Sequence, residues 1–450
     1  MRDIRTELDA LRQKLQKMHQ RPPAAEPAPA AAPRLQSPPW ETAGDESAFE
    51  ESLLSNAVSV DGFPHFSNSD RVSGDIEACI SGTVVENAKG RHFQTETRFP
   101  FSSSHGNFDL QGLAKLPGSI IEALCPEHQG GYSEKWAFLD TETNGLSGGA
   151  GSFAFLVGLG MVREDAFVVR QYFLREPAEE ASALESIAQD LQGFETLVTY
   201  NGRTFDAPLL ETRYRLARAP VPFEAMPHLD LLFACRRLWK RRFESCRLTG
   251  LERDVLGYER VGDVPGFLIP TLYTNYLRTK DAGSLTPVFT HNALDILSLA
   301  CLTSVVGVLF QNPEQALRRH PAECLGLGKW LLQVGRKEEA LPFLWKAANG
   351  AIPEDLLART LWDIAIVHRQ LGQYAAMQHP LEQLLGFPNH LQNQALEALA
   401  ILFERRLCHP RKALEYAREL ERRMPGERTA GRVERLVAKL SRNGSALLME

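Results

Sequence analysis

Asp140 and Glu142 stand two residues apart at the end of a short apolar run, Trp136-Ala137-Phe138-Leu139, and a Gly-rich stretch follows to Gly151. Four to six apolar residues closed by turn residues predict a buried strand. Side chains two apart on a strand share a face, so the two carboxylates project together. Like charges on one face repel, and burial disfavours their ionised forms further. A divalent cation relieves both penalties, because Mg²⁺ and Mn²⁺ are hard ions that seek carboxylate oxygen. Farther along come Asp206, closing the stretch YNGRTFD, and the pair His291 and Asp295 in HNALDILSLACLTSV. Four apart in a helical pattern, His291 and Asp295 face the same way. Singly, each motif has a plainer reading: a strand ending in solvated acids, an Asn-Gly turn with a capping Asp, an ion pair beside a core histidine.

The surrounding pattern supplies elements to position these groups. Phe153–Gly160 (FAFLVGLG) and Phe167–Leu174 (FVVRQYFL) read as strands joined by a turn at Arg163–Asp165. Ala178–Leu191 has helical periodicity, with Glu179 and Glu180 in its first turn as the helix dipole favours. Leu197–Tyr200 reads as a strand, a helix starts near Asp206, and His228–Leu232 reads as a strand running into a basic helix. Three strands in meander order followed by alternating helix and strand make a mixed α/β sheet. Residues 131–310 are thus expected to form one α/β domain. A hairpin is expected in Ile80–Phe101, around Asn87–Gly90, within an N-terminal β-containing region at 46–130 whose role the residues do not reveal.

From 311 to 450 the pattern is helical throughout. VGRKEEALPFL at Val334, LGQYAAMQHPL at Leu371 and CHPRKALEYAREL at Cys408 repeat, with Gly335, Gly372 and His409 each 37 apart. Helix, tight turn and second helix at such a period predict tetratricopeptide-like pairs, with an ordinary helical bundle as the alternative. At the other end, residues 1–20 form an amphipathic helix by spacing, and 21–45 a Pro/Ala-rich disordered linker.

The three acidic motifs in this order resemble the DEDD exonucleases of the ribonuclease H-like superfamily. More closely, 136–302 resembles the YprB-type ribonuclease H-like proteins, predicted exonucleases of which some carry tetratricopeptide repeats. The matching stretches are FLDTETNGLSGGAG, VTYNGRTFDAPLLETRYR, PHLDLLFACRRLWKRR and HNALDILSL. The resemblance implies a ribonuclease H-like mixed sheet flanked by helices. It also implies a 3′-5′ exonuclease with two divalent ions, Mg²⁺ or Mn²⁺, held by Asp140, Glu142, Asp206 and Asp295. In that arrangement Asp140 bridges the ions, Asp295 completes the water-activating side, and His291 orients or deprotonates the water. Two ions roughly 3.5–4 Å apart would clamp an in-line displacement at phosphorus. One departure stands out: family members that use His place it five residues before the last Asp, whereas His291 stands four before, the spacing of those that use Tyr. Leu146 occupies the position of a Leu that wedges beside the terminal base, and Asn201 belongs to the second matching motif.

Residues 213–260 hold 11 Lys/Arg against 6 acids, and Arg236, Arg237, Lys240 and Arg241 pair at i,i+4 on the predicted helix. Stacked like charges are easier to explain by a phosphate partner than by stability. These four residues, with Leu146 and Asn201, are the expected nucleic-acid contacts. The helical repeats imply a protein or peptide partner. With 44% hydrophobic and 24% charged residues, and no uninterrupted run of about 18 apolar ones, the chain reads as globular with no membrane partner. The charged N-terminus lacks the apolar core of a signal peptide, and the seven scattered cysteines form no CxxC, which argues against a disulfide framework or a Cys-based zinc site. A cytoplasmic setting is therefore expected. A different class of protein fits the same residues: a catalytically weak nucleic-acid-binding or scaffolding protein on the same fold.

Overall fold

The computed structural model describes residues 74–114, 116–124, 132–145 and 151–446. The helix expected at 1–20, the linker at 21–45, residues 46–73 of the N-terminal region and Leu146 lie outside the described residues.

A short helix, α1 (Ile76–Cys79), leads into the hairpin β1 (Thr83–Asn87) and β2 (Gly90–Pro100). Gly90, at φ 125°, makes the turn, and the Asn87 carboxamide accepts from the Lys89 N–H. A two-residue-strand hairpin, β3 (Ser104–His105) and β4 (Phe108–Asp109), and a helix, α2 (Gly118–Leu124), follow. The central meander is β5 (Trp136–Thr143), β6 (Ala154–Val162) and β7 (Ala166–Phe173). After α3 (Glu180–Leu191) comes β8 (Thr196–Thr199), then α4 (Asp206–Leu216), β9 (His228–Asp230), α5 (Leu231–Trp239) and α6 (Leu248–Leu251). The seven-stranded sheet runs β1-β2-β7-β6-β5-β8-β9, with β8 and β9 parallel to β5 and the rest antiparallel. The hairpin placed by sequence in a separate region is therefore an edge of this same sheet. β2 pairs with β7 along its length, from Phe93–Phe173 to Pro100–Ala166.

Alternation along β5 assigns its two faces. Ala137 and Leu139 pack with Leu184 and Ile187 of α3 and Leu210 and Tyr214 of α4. Trp136 and Phe138 face the other way, into a core shared with Ile296 and Ala300 of a 26-residue helix. That helix, α8 (Thr286–Gln311), follows α7 (Ile269–Thr279). It is long and apolar enough to cross a membrane by length and composition, yet 83% of its most apolar stretch is buried inside the fold. A helix apolar all round is one covered on all sides. Sheet covers one flank of α8 and helices cover the rest.

Gly158 and Gly160 on β6 let α8 approach the sheet. A Cβ at Gly158 would meet Asn292 Oδ1 and Ile296 Cδ1, each at 2.3 Å, and one at Gly160 would meet Ile296 Cγ2 at 2.4 Å.

The remaining helices alternate with tight turns: α9 (Pro321–Gln333), α10 (Lys337–Ala348), α11 (Glu354–Gln370), α12 (Gln378–Leu385), α13 (Gln392–Arg405), α14 (Pro410–Arg423) and α15 (Glu427–Ala446). Left-handed residues at Gly335, Gly372 and Cys408 mark the turns within successive pairs, so the third turn is made by Cys408 and not by the glycine of the first two. Trp330 of α9 lies against Phe310 of α8, ring centroids 4.3 Å apart, and the Arg237 guanidinium of α5 covers its ring. Cys235, Cys246, Cys301, Cys324 and Cys408 are free thiols.

Candidate active site

Three elements deliver acids to the end of β5 where the parallel strands terminate. Asp140 and Glu142 lie on the β5 face turned to α8, opposite Gly158 and Leu156 of β6, just before a register shift at Glu142–Thr143. Asp206 opens α4, where an acid suits the positive end of the helix dipole. The turn before it is set by Asn201, at φ 64°, in the left-handed region that Asn tolerates. The buried Asp230 carboxylate at the end of β9 holds this turn, accepting from the N–H groups of Asn201 (2.8 Å), Arg203 (3.2 Å) and Leu232 (3.1 Å). Asp206 Oδ1 in turn accepts from the Thr141 hydroxyl at 2.5 Å, which ties α4 to β5.

The second and third turns of α8 bring His291, Asn292 and Asp295. His291 Nε2 lies 4.0 Å from Glu142 Oε1 and 3.7 Å from Asp295 Oδ2, and its Nδ1 lies 2.8 Å from Asp263 Oδ1. The four-residue spacing therefore does turn the imidazole toward the acids. Asn292 donates from Nδ2 to Asp140 Oδ2 at 2.8 Å, while its Oδ1 accepts from Gln171 Nε2 at 2.8 Å.

Burial and mutual repulsion govern the electrostatics. Desolvation, then the charges of Asp295, Asp206 and Glu142, hold the Asp140 carboxyl well above the usual range against the Asn292 hydrogen bond. Glu142 is pushed up to about 8, chiefly by burial, with His291 opposing and Asp295, Asp206 and Asp263 adding. Burial raises Asp206 to about 6 despite the Thr141 hydrogen bond. His291 is raised to about 9: burial alone would lower it, but the Asp263 hydrogen bond and the charges of Asp295, Asp263 and Glu142 prevail.

The donor chemistry suits a divalent ion, since Asp140, Glu142, Asp206 and Asp295 offer hard oxygens whose repulsion only a cation would cancel. Even so, no group of three or more His, Cys, Asp or Glu among the described residues is drawn together tightly enough to hold one ion in common. Asp295 is engaged elsewhere, by the Arg260 guanidinium at 2.5 Å.

Arg260, Asp263, Glu252 and Asn292 are site residues that sequence reasoning missed. Arg260 belongs by sequence to the basic excess of 213–260, but its side chain is buried. That excess forms no single face. Arg213 pairs with Glu180, Arg242 with Glu323, and Arg253 with Asp254. The expected i,i+4 series is cut short as well, because α5 ends at Trp239, leaving Lys240 as its cap and Arg241 beyond it, half-buried. Arg236 and Arg237 are exposed on the last turn, and Trp239 is fully buried.

The model of the RNase H superfamily matches residues 137–306, the span from β5 through most of α8. The uncharacterized protein YprB of Bacillus subtilis (strain 168) is 30% identical over 332 residues, 72% of this chain and 79% of that protein. Superfamily membership points to nuclease-type chemistry on nucleic acid. With its mixed sheet, flanking helices and acids at the end of β5, the chain belongs to the RNase H superfamily.

Proposed function

We propose that this chain is a divalent-metal-dependent nuclease that removes nucleotides from the 3′ end of DNA or RNA. The observation that carries this reading is the meeting of Asp140, Glu142, Asp206 and Asp295 from three separate elements, with the buried Asp140 surrounded by the other acids. These carboxylates would hold Mg²⁺ or Mn²⁺, which supplies an acidified water and charge stabilisation at a scissile phosphate. His291, anchored through Nδ1 on Asp263, presents Nε2 to Glu142 and Asp295, where it orients water and holds a proton. Asn292 fixes the Asp140 carboxylate from the far side. Arg236 and Arg237, with Lys240 and Arg241, take the phosphate backbone, and Leu146 and Asn201 contact the terminal nucleotide. The 3′ polarity rests on the resemblance to DEDD exonucleases. The tetratricopeptide-like helical pairs bind a protein or peptide.

One observation favours a second reading, a nucleic-acid-binding scaffold with little catalysis: the donors are not drawn together into one set. End-labelled single and double strands incubated with Mg²⁺ or Mn²⁺ decide between the two. Stepwise shortening from the 3′ end by wild type, abolished in Asp140→Asn, supports the nuclease. Binding without shortening selects the scaffold, and equal shortening by both proteins sinks the enzyme.

A further inference from the structure

A buried arginine reaches into the carboxylate cluster from a loop that no motif marked. α6 runs on as a π-helical turn, Glu252–Leu256, that ends at the left-handed Gly257, and three residues later comes Arg260. Only 6% of its side chain is exposed. Nε lies 2.6 Å from Glu252 Oε2, Nη2 3.1 Å from Glu252 Oε1, Nη1 3.2 Å from Asp263 Oδ2, and Nη2 2.5 Å from Asp295 Oδ1. Glu252 is itself fixed, accepting from the Ser298 hydroxyl and lying 3.3 Å from His105 Nε2. A guanidinium keeps its charge under all conditions in which a protein folds. Withdrawing it would take the guanidinium from Glu252 and Asp295 together in the interior, which is strongly unfavourable.

Asp295 therefore has a cation on one oxygen, Arg260, and the His291 ring facing the other. Asp140 differs: its strongest charged neighbours are all acids, and its named hydrogen-bond donor, Asn292, is neutral. The shortage of positive charge is concentrated at Asp140 and Asp206, because the His291 ring also faces Glu142, 4.0 Å away. Resting on the nuclease reading above, we propose that Arg260 is a built-in cation standing in for one of the two metal ions, so that the site binds a single divalent ion on the side of Asp140 and Asp206. The pair of ions implied by the family resemblance would then be an ion and a guanidinium.

Mn²⁺ bound to the full chain, measured by equilibrium dialysis with metal analysis and by electron paramagnetic resonance, tests this. Wild type and Arg260→Lys should each bind one ion, with the six-line spectrum of an isolated Mn²⁺. Arg260→Met, which frees the Asp295 carboxylate, should bind two and show spin coupling. Two ions or a coupled spectrum in wild type would overturn the role of Arg260 and leave the nuclease reading standing. No bound ion in wild type would bring down both, and Arg260→Met binding only one would overturn the substitution of charge. Should Arg260→Met fail to fold, the wild-type spectrum decides alone.

Discussion

Neutralising Asp140 is expected to move two measurements in opposite directions. A carboxyl whose folded-state pKa is raised costs stability as pH climbs from the unfolded value through the folded one, because the unfolded chain releases its proton first. Asp140→Asn escapes that cost, so the metal-free variant at pH 8 should be more stable than wild type by about 1–2 kcal/mol in thermal or denaturant unfolding. Mn²⁺ at a hundredfold over its Kd should stabilise wild type by about 2.7 kcal/mol and the variant not at all. His228 gives a test away from the acids. Burial, with Arg203 adding, lowers its pKa to about 4, so the unfolded chain takes up a proton near pH 6.5 that the folded chain refuses until about 4. Its contribution is intact above pH 6.5 and lost as pH falls toward 4. Unfolding followed from pH 7 to 4.5 should show a shallower decline in His228→Gln, and parallel declines would refute the assignment. Asp140, Glu142, His291 and Asp295 were legible in the sequence because two and four are the repeats of strand and helix. Arg260, Asp263 and Glu252 were not, because a loop with no period carries them to the site. Asn292 stood inside a recognised motif, but its role depends on a gap in the opposing strand.

That gap belongs to the scale of elements. Gly158 faces Asp140 across β5 and β6, and its missing side chain lets Asn292 reach the carboxylate. Gly158→Val should force α8 outward, costing about 1–3 kcal/mol in urea unfolding. It should also weaken Mn²⁺ binding, since Asp140 loses its donor. A glycine with open space predicts the reverse sign. Gly431 lies exposed within α15, and nothing would touch its Cβ within 4 Å. Gly431→Ala should therefore stabilise by up to about 1 kcal/mol. The strands and helices of the meander were readable within a residue or two, as where Phe167–Leu174 was expected and Ala166–Phe173 found. The end of α5 was not, because Trp239 is followed by a run of cations with no Gly or Pro to mark a stop.

Among the described residues the sheet and the first helical pair share one core. A continuous cluster links Phe138 of β5 and Trp239 of α5 to Trp330, Phe343 and Ile364 of the helices that follow. Gly326 is part of this seam, since a Cβ there would meet the α5 carbonyls of Arg237 and Leu238 at 2.5 Å. Removing 312–450 should expose Phe310 and Leu238 and give an aggregating fragment. The intact chain should lose the sheet and the first helical pair in one cooperative transition by calorimetry, and two separate transitions there would contradict this. The sequence pattern marked the change from mixed to helical character near 311. It could not show that the two halves interlock, because contacts between distant segments leave no local period. The same holds for the hairpin that extends the sheet. α8 runs 26 residues, about 39 Å, from Thr286 to Gln311, with its proline confined to the first turn. Its front half carries His291 and Asp295, and its rear end leans on Trp330. Such a rod carries Phe310, seated against the paired helices, and Asp295, among the acids, on one unbroken element.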